Sequence, residues 1–365
     1  MTWNWQKKNW PQFIYNQEAI RLLEQSFLQK SGEFSGLIKF IDEKEKKKLL
    51  VNLITTEAIT TSEIEGEYLV RDSVQSSIKK HFGILQKEKN FLKKETGVSQ
   101  LILDSYETYS DQLSHNYLFN WHKLLMQGYS NGADIGKYRT HLESMLVVSG
   151  KIDKPNIHFQ APPSGEVFEE MAGFIEWFNE TNGKLGNLLR SAITHLYFVS
   201  IHPFEDGNGR IARTLSEKAL SQGVYHPTLT SLSTIMSKNK KLYYQKLAEN
   251  NQNLDITDWI VYFAETVLKA QEYTQKMIEL VIQKTKTFDK YKNSLNERQV
   301  KVLNKLFDVG PEGFAGGLSN SNYIAITTTS IATATRDLND LVEKEILTKT
   351  GDKRYARYYL VKNYD

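Results

Sequence analysis

Twelve consecutive positions, His202-Pro203-Phe204-Glu205-Asp206-Gly207-Asn208-Gly209-Arg210-Ile211-Ala212-Arg213, set an imidazole, a carboxylate, a glycine turn and two guanidiniums just ahead of a helical pattern. Such a run restricts the chain to folds that seat a tight loop on the N-terminus of a helix. Gly207 and Gly209 bracket Asn208, and a Gly-Asn-Gly turn reaches positive-φ conformations that aim successive backbone N–H groups at one point. Ile211, Leu215 and Leu220 recur at approximate helical spacing, which predicts a helix over Arg210 to Gln222 with Gly223 as its terminator. Unpaired N–H groups and the positive end of the helix dipole favour phosphate at that place, and Arg210 adds a cation with fork geometry. Arg213, one turn further on, reaches a more distal phosphate, so a polyphosphate suits the loop better than a single anion.

Asp206 would repel phosphate unless a divalent cation lay between them, and magnesium, which binds through one carboxylate, phosphate oxygens and waters, is the natural mediator. His202 is the nearby group whose ordinary pKa lies close to neutral, which makes it the candidate general base toward an incoming hydroxyl. Each residue has a plainer reading as well: Phe204 is a core anchor, a lone histidine before proline is commonly a loop or core residue, and Arg213 by itself is an ordinary surface arginine. Their weight comes from standing together. A chance match to His-x-Phe-x-(Asp/Glu)-Gly-Asn-Gly-Arg-x-x-Arg in a chain of this length is on the order of one in ten million.

The pattern resembles the motif of the Fic family. The resemblance implies a mainly α fold, a Fic-type helical bundle with a small β-hairpin flap. It also implies that the motif histidine, here His202, deprotonates a Ser, Thr or Tyr hydroxyl of a target protein, which attacks the α-phosphate of ATP and retains AMP. By the same resemblance Asp206 holds Mg2+, Gly207, Asn208, Gly209 and Arg210, with Ile211 and Ala212 beside them, receive the phosphates, and Arg213 contacts the γ-phosphate. Some family members move phosphate or phosphocholine with variant motifs. The intact form here favours AMP.

Far upstream, Thr61-Ser62-Glu63-Ile64-Glu65-Gly66 resembles the family's inhibitory motif, (Ser/Thr)-x-x-x-Glu-(Gly/Asn). In autoinhibited relatives its glutamate, here Glu65, pairs with the second motif arginine, here Arg213. If Glu65 occupies the guanidinium meant for the γ-phosphate, ATP binds only in a pose whose α-phosphate is misaligned for attack. Two other readings stay open. Leu49, Leu50, Leu53, Ile54 and Ile64 predict a helix over about residues 42–66 that Gly66 caps, so the string is also an ordinary helix end. Glu65 is alternatively the residue that orients a water to remove AMP from a modified target, a reverse activity seen in some relatives.

Between the motifs, Gly136-Lys137-Tyr138-Arg139, Met145 to Val148 and Ile157-His158-Phe159 read as a hairpin over about residues 138–160. It resembles the flap of Fic proteins, whose edge aligns an extended target segment by main-chain pairing; a structural clip is the other reading. Beyond the motif helix, Tyr244 and Gln245 are candidate nucleotide contacts, since aromatic faces suit a planar base, although tyrosines at helical spacing also serve as core.

The 365 residues carry a formal net charge of +3, too small to imply nucleic-acid binding by the whole chain. Zero cysteines exclude disulfides and thiolate chemistry; the eight histidines form no His-Glu-x-x-His zinc pattern, and no Gly-x-x-x-x-Gly-Lys-(Ser/Thr) loop is present. No stretch has the length and apolarity of a transmembrane helix, and the polar start lacks a secretory core, so the sequence reads as cytoplasmic with no membrane partner.

The pattern divides the chain into a helical segment over 1–97, a Fic-like core over 98–284 and a terminal domain over 285–365, with a charge-dense connection at Gln86 to Lys94. The aromatic cluster Trp3, Trp5, Trp10 and Phe13 belongs to a segment that resembles a small domain often found ahead of Fic cores. The terminal domain reads as three helices and a hairpin and resembles a winged helix. Thr329, Ser330, Thr333, Thr335 and Arg336 are then candidates to face DNA, with Lys349, Lys353, Arg354 and Arg357 on the wing. Ten Lys and Arg against nine Asp and Glu over residues 295–365 give this domain no strong basic field, and winged helices also serve protein contacts. Two function classes follow: a magnesium- and ATP-dependent protein adenylyltransferase that also modifies itself, or a regulator of DNA or a partner whose core senses nucleotide. Monomer and homodimer both stay open, since many Fic relatives self-associate.

Overall fold

The computed structural model describes residues 2–39, 41–85, 92–129, 134–151, 154–311, 313–314 and 316–361. The chain falls into two compact units, residues 1–39 with 46–274, and residues 40–45 with 275–365. In chain order the elements are α1 (Arg21–Ile38), α2 (Glu43–Ile64), α3 (Arg71–His81), α4 (Lys93–Glu107), α5 (His115–Leu125), and the strands β1 (Leu146–Lys151) and β2 (Lys154–Gln160). Then come α6 (Val167–Glu180), α7 (Asn187–Ile201), α8 (Asn208–Val224), α9 (Leu232–Lys238), α10 (Lys240–Asn250) and α11 (Thr257–Tyr291). The chain closes with α12 (Glu297–Asp308), α13 (Asn320–Thr327), α14 (Ile331–Glu343), β3 (Leu347–Thr350) and β4 (Arg357–Leu360). It is a mainly helical protein with two small antiparallel hairpins among the described residues.

α7 is the axis of the first unit, because it is buried on every side from Leu188 to Ile201. Its polar residues are satisfied internally: Arg190 donates to the Phe178 carbonyl at 2.6 Å and to Gln222 Oε1 at 2.8 Å, and Thr194 donates to the Arg190 carbonyl at 2.8 Å. α8 packs along α7. It begins at Asn208 and ends at Val224, two residues beyond the sequence pattern at each end, and Tyr225 in the left-handed region (φ 61°) caps it. Gly223 therefore does not terminate the helix; a Cβ there would overlap the Asn187 side chain at the start of α7, so the glycine serves close packing.

The β1–β2 register runs from Leu146↔Gln160 to Lys151↔Lys154, with an irregularity between Val147 and Val148. Positions 152 and 153 of this hairpin lie outside the described residues. Tyr138 and Arg139 precede it as buried residues in a loop rather than opening a strand. The N-terminal aromatics pack: Trp3 meets Phe159 edge-on at 5.3 Å, and Trp10 meets Tyr197 at 5.2 Å.

The borders read from sequence sit differently. Residue 97 lies inside α4, where Gly97 has no room for a Cβ against the Leu124 carbonyl, and residue 284 lies inside α11. Of the connection expected at 86–94, residues 86–91 lie outside the described residues, while Lys93 and Lys94 open α4. Charge-dense stretches mark exposed helix faces as readily as linkers, and Lys93 and Lys94 belong to such a helix.

The second unit has its own core around Val302, Leu306, Tyr323, Leu338, Leu341 and Tyr358. Asp337 ties it together, accepting from Arg298 Nε at 2.8 Å and Tyr323 OH at 2.9 Å. Ser330 and Thr333 close the N-cap of α14, Thr335 donates to the Ile331 carbonyl at 2.9 Å, and Lys349 pairs with Asp352 at 3.1 Å. No helix among the described residues is long and apolar enough to cross a membrane.

Candidate active site

α7 stops at His202, whose backbone is left-handed (φ 51°, ψ 58°) and whose N–H still donates to the Phe198 carbonyl at 3.0 Å. A non-glycine residue holds that conformation only when its surroundings impose it. Arg139 supplies the restraint. Its buried guanidinium donates from Nε to the His202 carbonyl at 2.8 Å, to the Pro162 carbonyl at 2.5 Å and to Ser164 Oγ at 2.8 Å, while its main-chain N–H meets the Pro203 carbonyl at 2.9 Å. His202 Nδ1 faces the Val199 carbonyl at 3.3 Å, and a carbonyl only accepts, so Nδ1 carries the proton and Nε2 is left with its lone pair. Burial pulls the imidazole down to about 4, opposed by the Val199 carbonyl. Burial thus favours the neutral ring, the form a general base needs.

The loop that follows is fastened from inside. Phe204 is fully buried, and the Asn208 side chain turns back on it, accepting from the Phe204 N–H at 3.0 Å and donating to its carbonyl at 2.7 Å. Only Gly207 of the expected turn is left-handed (φ 82°); Gly209 already lies in the first turn of α8. A Cβ on Gly207 would stand 2.7 Å from Leu125 Cδ2. Asn208, Gly209 and Arg210 place their main-chain N–H groups in the first helical turn, where no intrahelical acceptor exists. The side chains of Ile211 and Ala212 are fully buried in the core, so any part they take in a ligand site is through the backbone. Asp206, half-exposed, accepts from the Gly207 N–H at 2.5 Å and from Arg210 at 3.2 Å.

Both guanidiniums are buried and answered by the end of α2. Arg213 donates from Nε to Thr61 Oγ1 at 2.9 Å and from one terminal nitrogen to the Thr61 carbonyl at 2.9 Å and Glu65 Oε1 at 2.7 Å. Burial disfavours its charge, but the Glu65 carboxylate together with Tyr243 and Tyr244 offsets that penalty and holds Arg213 above its ordinary value. Arg210 meets Glu67 at 2.5 Å and Tyr129 OH at 2.9 Å, and Tyr129 also donates to Glu67. Arg210 Nε and the second terminal nitrogen of Arg213 are buried with no hydrogen-bond partner among the described residues. A Cβ on Gly209 would overlap Glu65 Oε1 and stand 3.2 Å from that second nitrogen, so carboxylate and guanidinium share the space above the glycine. α2 ends where Gly66 turns left-handed (φ 83°), which delivers Glu65 and Glu67 to this face.

Tyr244 lies over the same contact, its hydroxyl 3.2 Å from the Ile64 carbonyl and 3.4 Å from Glu65 Oε2. Gln245 donates to Glu249 at 2.8 Å along the exposed face of α10 and is not brought to the site. Arg139, Tyr129 and Glu67 join the site through contacts that the motif itself does not specify. Glu67 carries a signal, as a second carboxylate two positions after Glu65; Tyr129 carries none.

No group of three or more His, Cys, Asp or Glu among the described residues could enclose a metal ion. One half-exposed carboxylate, Asp206, beside first-turn N–H groups fits a cation that takes its remaining ligands from phosphate oxygens and water. The assembly as a whole offers a neutral imidazole with an open nitrogen, next to a helix N-terminus and two buried cations with donors to spare.

Residues 3–84 match a domain of unknown function (DUF4172), and residues 112–220 match the Fic/DOC family. Curated relatives include protein adenylyltransferase fic-1 of Caenorhabditis briggsae, 29% identical over 123 residues, covering 33% of this chain and 23% of that protein. Protein adenylyltransferase Fic of Drosophila willistoni is 31% identical over 109 residues, 30% of this chain and 21% of that protein. The match spans only about a fifth to a quarter of these relatives. Among solved structures, a Fic family protein from Desulfovibrio desulfuricans G20 superposes with a TM-score of 0.56 at 21% identity, covering 97% of this chain and 99% of that one. A Fic domain containing signaling protein from Bacteroides thetaiotaomicron gives 0.53 at 18% identity over 70% of this chain and 97% of that one. These likenesses bear on the fold. The stretch that matches the Fic/DOC family, residues 112–220, carries the loop and helix described above.

Proposed function

We propose that the chain is a protein adenylyltransferase that moves AMP from ATP to a Ser, Thr or Tyr hydroxyl of a protein, itself included, and that rests in a low-activity state. The observation that carries this reading is the conjunction at one helix start: His202 with Nε2 unprotonated, and Arg210 and Arg213 each buried with an unused donor. The hydroxyl oxygen attacks the α-phosphorus of ATP, its proton passes to His202 Nε2, and the bond from the α-phosphorus to the bridging oxygen breaks to release pyrophosphate. The first-turn N–H groups of α8 and Arg210 receive phosphate oxygens, and Arg213 takes the γ-phosphate. Magnesium held by Asp206 would supply charge neutralisation on the triphosphate.

The resting state follows from competition. Glu65 occupies Arg213 and Glu67 occupies Arg210, so a triphosphate meets both cations already paired. The curated relatives that match the core are named as adenylyltransferases, which supports the reading.

Incubation with α-labelled ATP and magnesium tests it. Protein-bound label is expected to rise in Glu65→Gly, to rise further when Glu67→Gln is added, and to vanish when His202→Ala is introduced into either. Equal labelling of wild type, Glu65→Gly and His202→Ala would remove the assignment.

A further inference from the structure

Two left-handed glycines, far apart in sequence, pack on one helix. Gly207 (φ 82°) lies in the loop of the candidate site, where a Cβ would overlap Leu125, and Gly136 (φ 74°) starts the run toward β1, where a Cβ would overlap the Lys123 side chain. Both contacts belong to α5, and between them stands His122, fully buried and stacked on the Phe204 ring at 4.1 Å with 10° between planes. The Gly136 N–H lies 2.9 Å from His122 Nδ1, and the Asp206 carbonyl lies 3.2 Å from Nε2. An N–H can only donate and a carbonyl can only accept. One tautomer satisfies both, with the proton on Nε2.

We propose that His122 is a positioning residue for nucleotide binding: Nδ1 takes the Gly136 N–H while Nε2–H holds the Asp206 carbonyl, fixing where the Asp206 carboxylate and the first N–H groups of α8 point. This rests on the AMP-transfer reading, in which Asp206 and those N–H groups receive the metal and the phosphates. The stacking on Phe204 and the two hydrogen bonds restrain the ring in all directions, so a shift of the loop requires breaking at least one of them. Groups that orient a ligand-bearing residue from behind affect affinity or turnover by about 10- to 100-fold when removed. Glutamine reproduces the donor and the acceptor, whereas phenylalanine keeps only the stacking surface.

The test uses the full chain in the Glu65→Gly background. In His122→Phe the magnesium concentration needed for half-maximal ATP binding, followed by calorimetry, is expected to rise about tenfold or more, and kcat to fall, with the melting temperature of the first unit little changed. His122→Gln is expected to recover most of both. Equal magnesium dependence in the parent and His122→Phe overturns the proposal. A measurement independent of any variant's folding is the 15N shift pattern of histidine-labelled wild type, where His122 should show neutral imidazole protonated at Nε2; protonation at Nδ1 overturns it. Absence of label transfer in the Glu65→Gly parent would count against the AMP-transfer reading, while the tautomer measurement would still decide the role of His122 in holding the loop.

Discussion

Arg213 is 1% exposed, and the resting chain answers its charge with Glu65 at 2.7 Å and with Thr61. Removing one partner of a buried ion pair costs roughly 3 to 5 kcal/mol, because the remaining charge is left without its counter-ion. Glu65→Gly is therefore expected to melt several degrees below wild type in thermal scans, even as the proposed function has it take up more label. ATP with magnesium should return more of that loss in the variant than it adds to wild type, since the triphosphate then takes the vacated guanidinium. A variant that melts like wild type, with equal response to ATP, would mean the pair carries no weight in the resting state. At this scale the sequence was informative where a short spacing carried the chemistry: His202, Asp206, Arg210 and Arg213 lie within twelve positions, and Glu65 stands in a six-residue pattern. Tyr129 lies 81 positions from Arg210, and no local rule links them.

Among elements, α7 and α8 form the frame of the site, and their approach depends on Gly223 beside Asn187. Gly223→Ala gains helix propensity but must displace a side chain in a packed interface, with a net loss of about 1 to 3 kcal/mol. Urea unfolding would measure it, and Asn187→Ala in the same chain should recover most of the loss; additive effects of the two substitutions would contradict this packing argument. The periodicity of Ile211, Leu215 and Leu220 revealed the body of α8 but not its ends. The first turn is set by the Asn208 side chain folding back on Phe204, and the last by a left-handed tyrosine, neither of which an apolar repeat records. The β-prone residues after Gly136 favour an extended hairpin from about residue 138, whereas Tyr138 and Arg139 lie in a loop. Arg139 spends its guanidinium on three carbonyls and a hydroxyl, and such a tertiary role overrides local preference.

Over the whole molecule, buried titratable groups tie stability to pH. Burial holds His122 and His202 down at about 4 and His195 at about 3, against an ordinary 6.5. Burial also lifts Glu57, on α2, from 4.5 to about 7, opposed by hydrogen bonds from Ser233. Between about pH 4.5 and 6.5 the unfolded chain gains up to three protons on these histidines that the native chain refuses, while the native chain keeps one on Glu57 that the unfolded chain lacks. The excess lies with the unfolded state, so stability from these groups falls as pH drops below 6.5. Melting at pH 5 is expected below melting at pH 7.5, and triple replacement of the histidines by glutamine, where it folds, should flatten the slope. At this scale the helical class is legible from pattern and composition, while the two compact units follow contacts between distant residues, which a linear reading does not record. On the proposed reading, the bare side of Gly209 sets the terms of control. In the space a side chain would fill, a tethered carboxylate waits beside a guanidinium, and a tethered group competes at an effective concentration on the order of millimolar. The chain would then act as a comparator, weighing free nucleotide against an internal standard, and lengthening the turn at Gly66 would reset its threshold without altering a single group that touches the nucleotide.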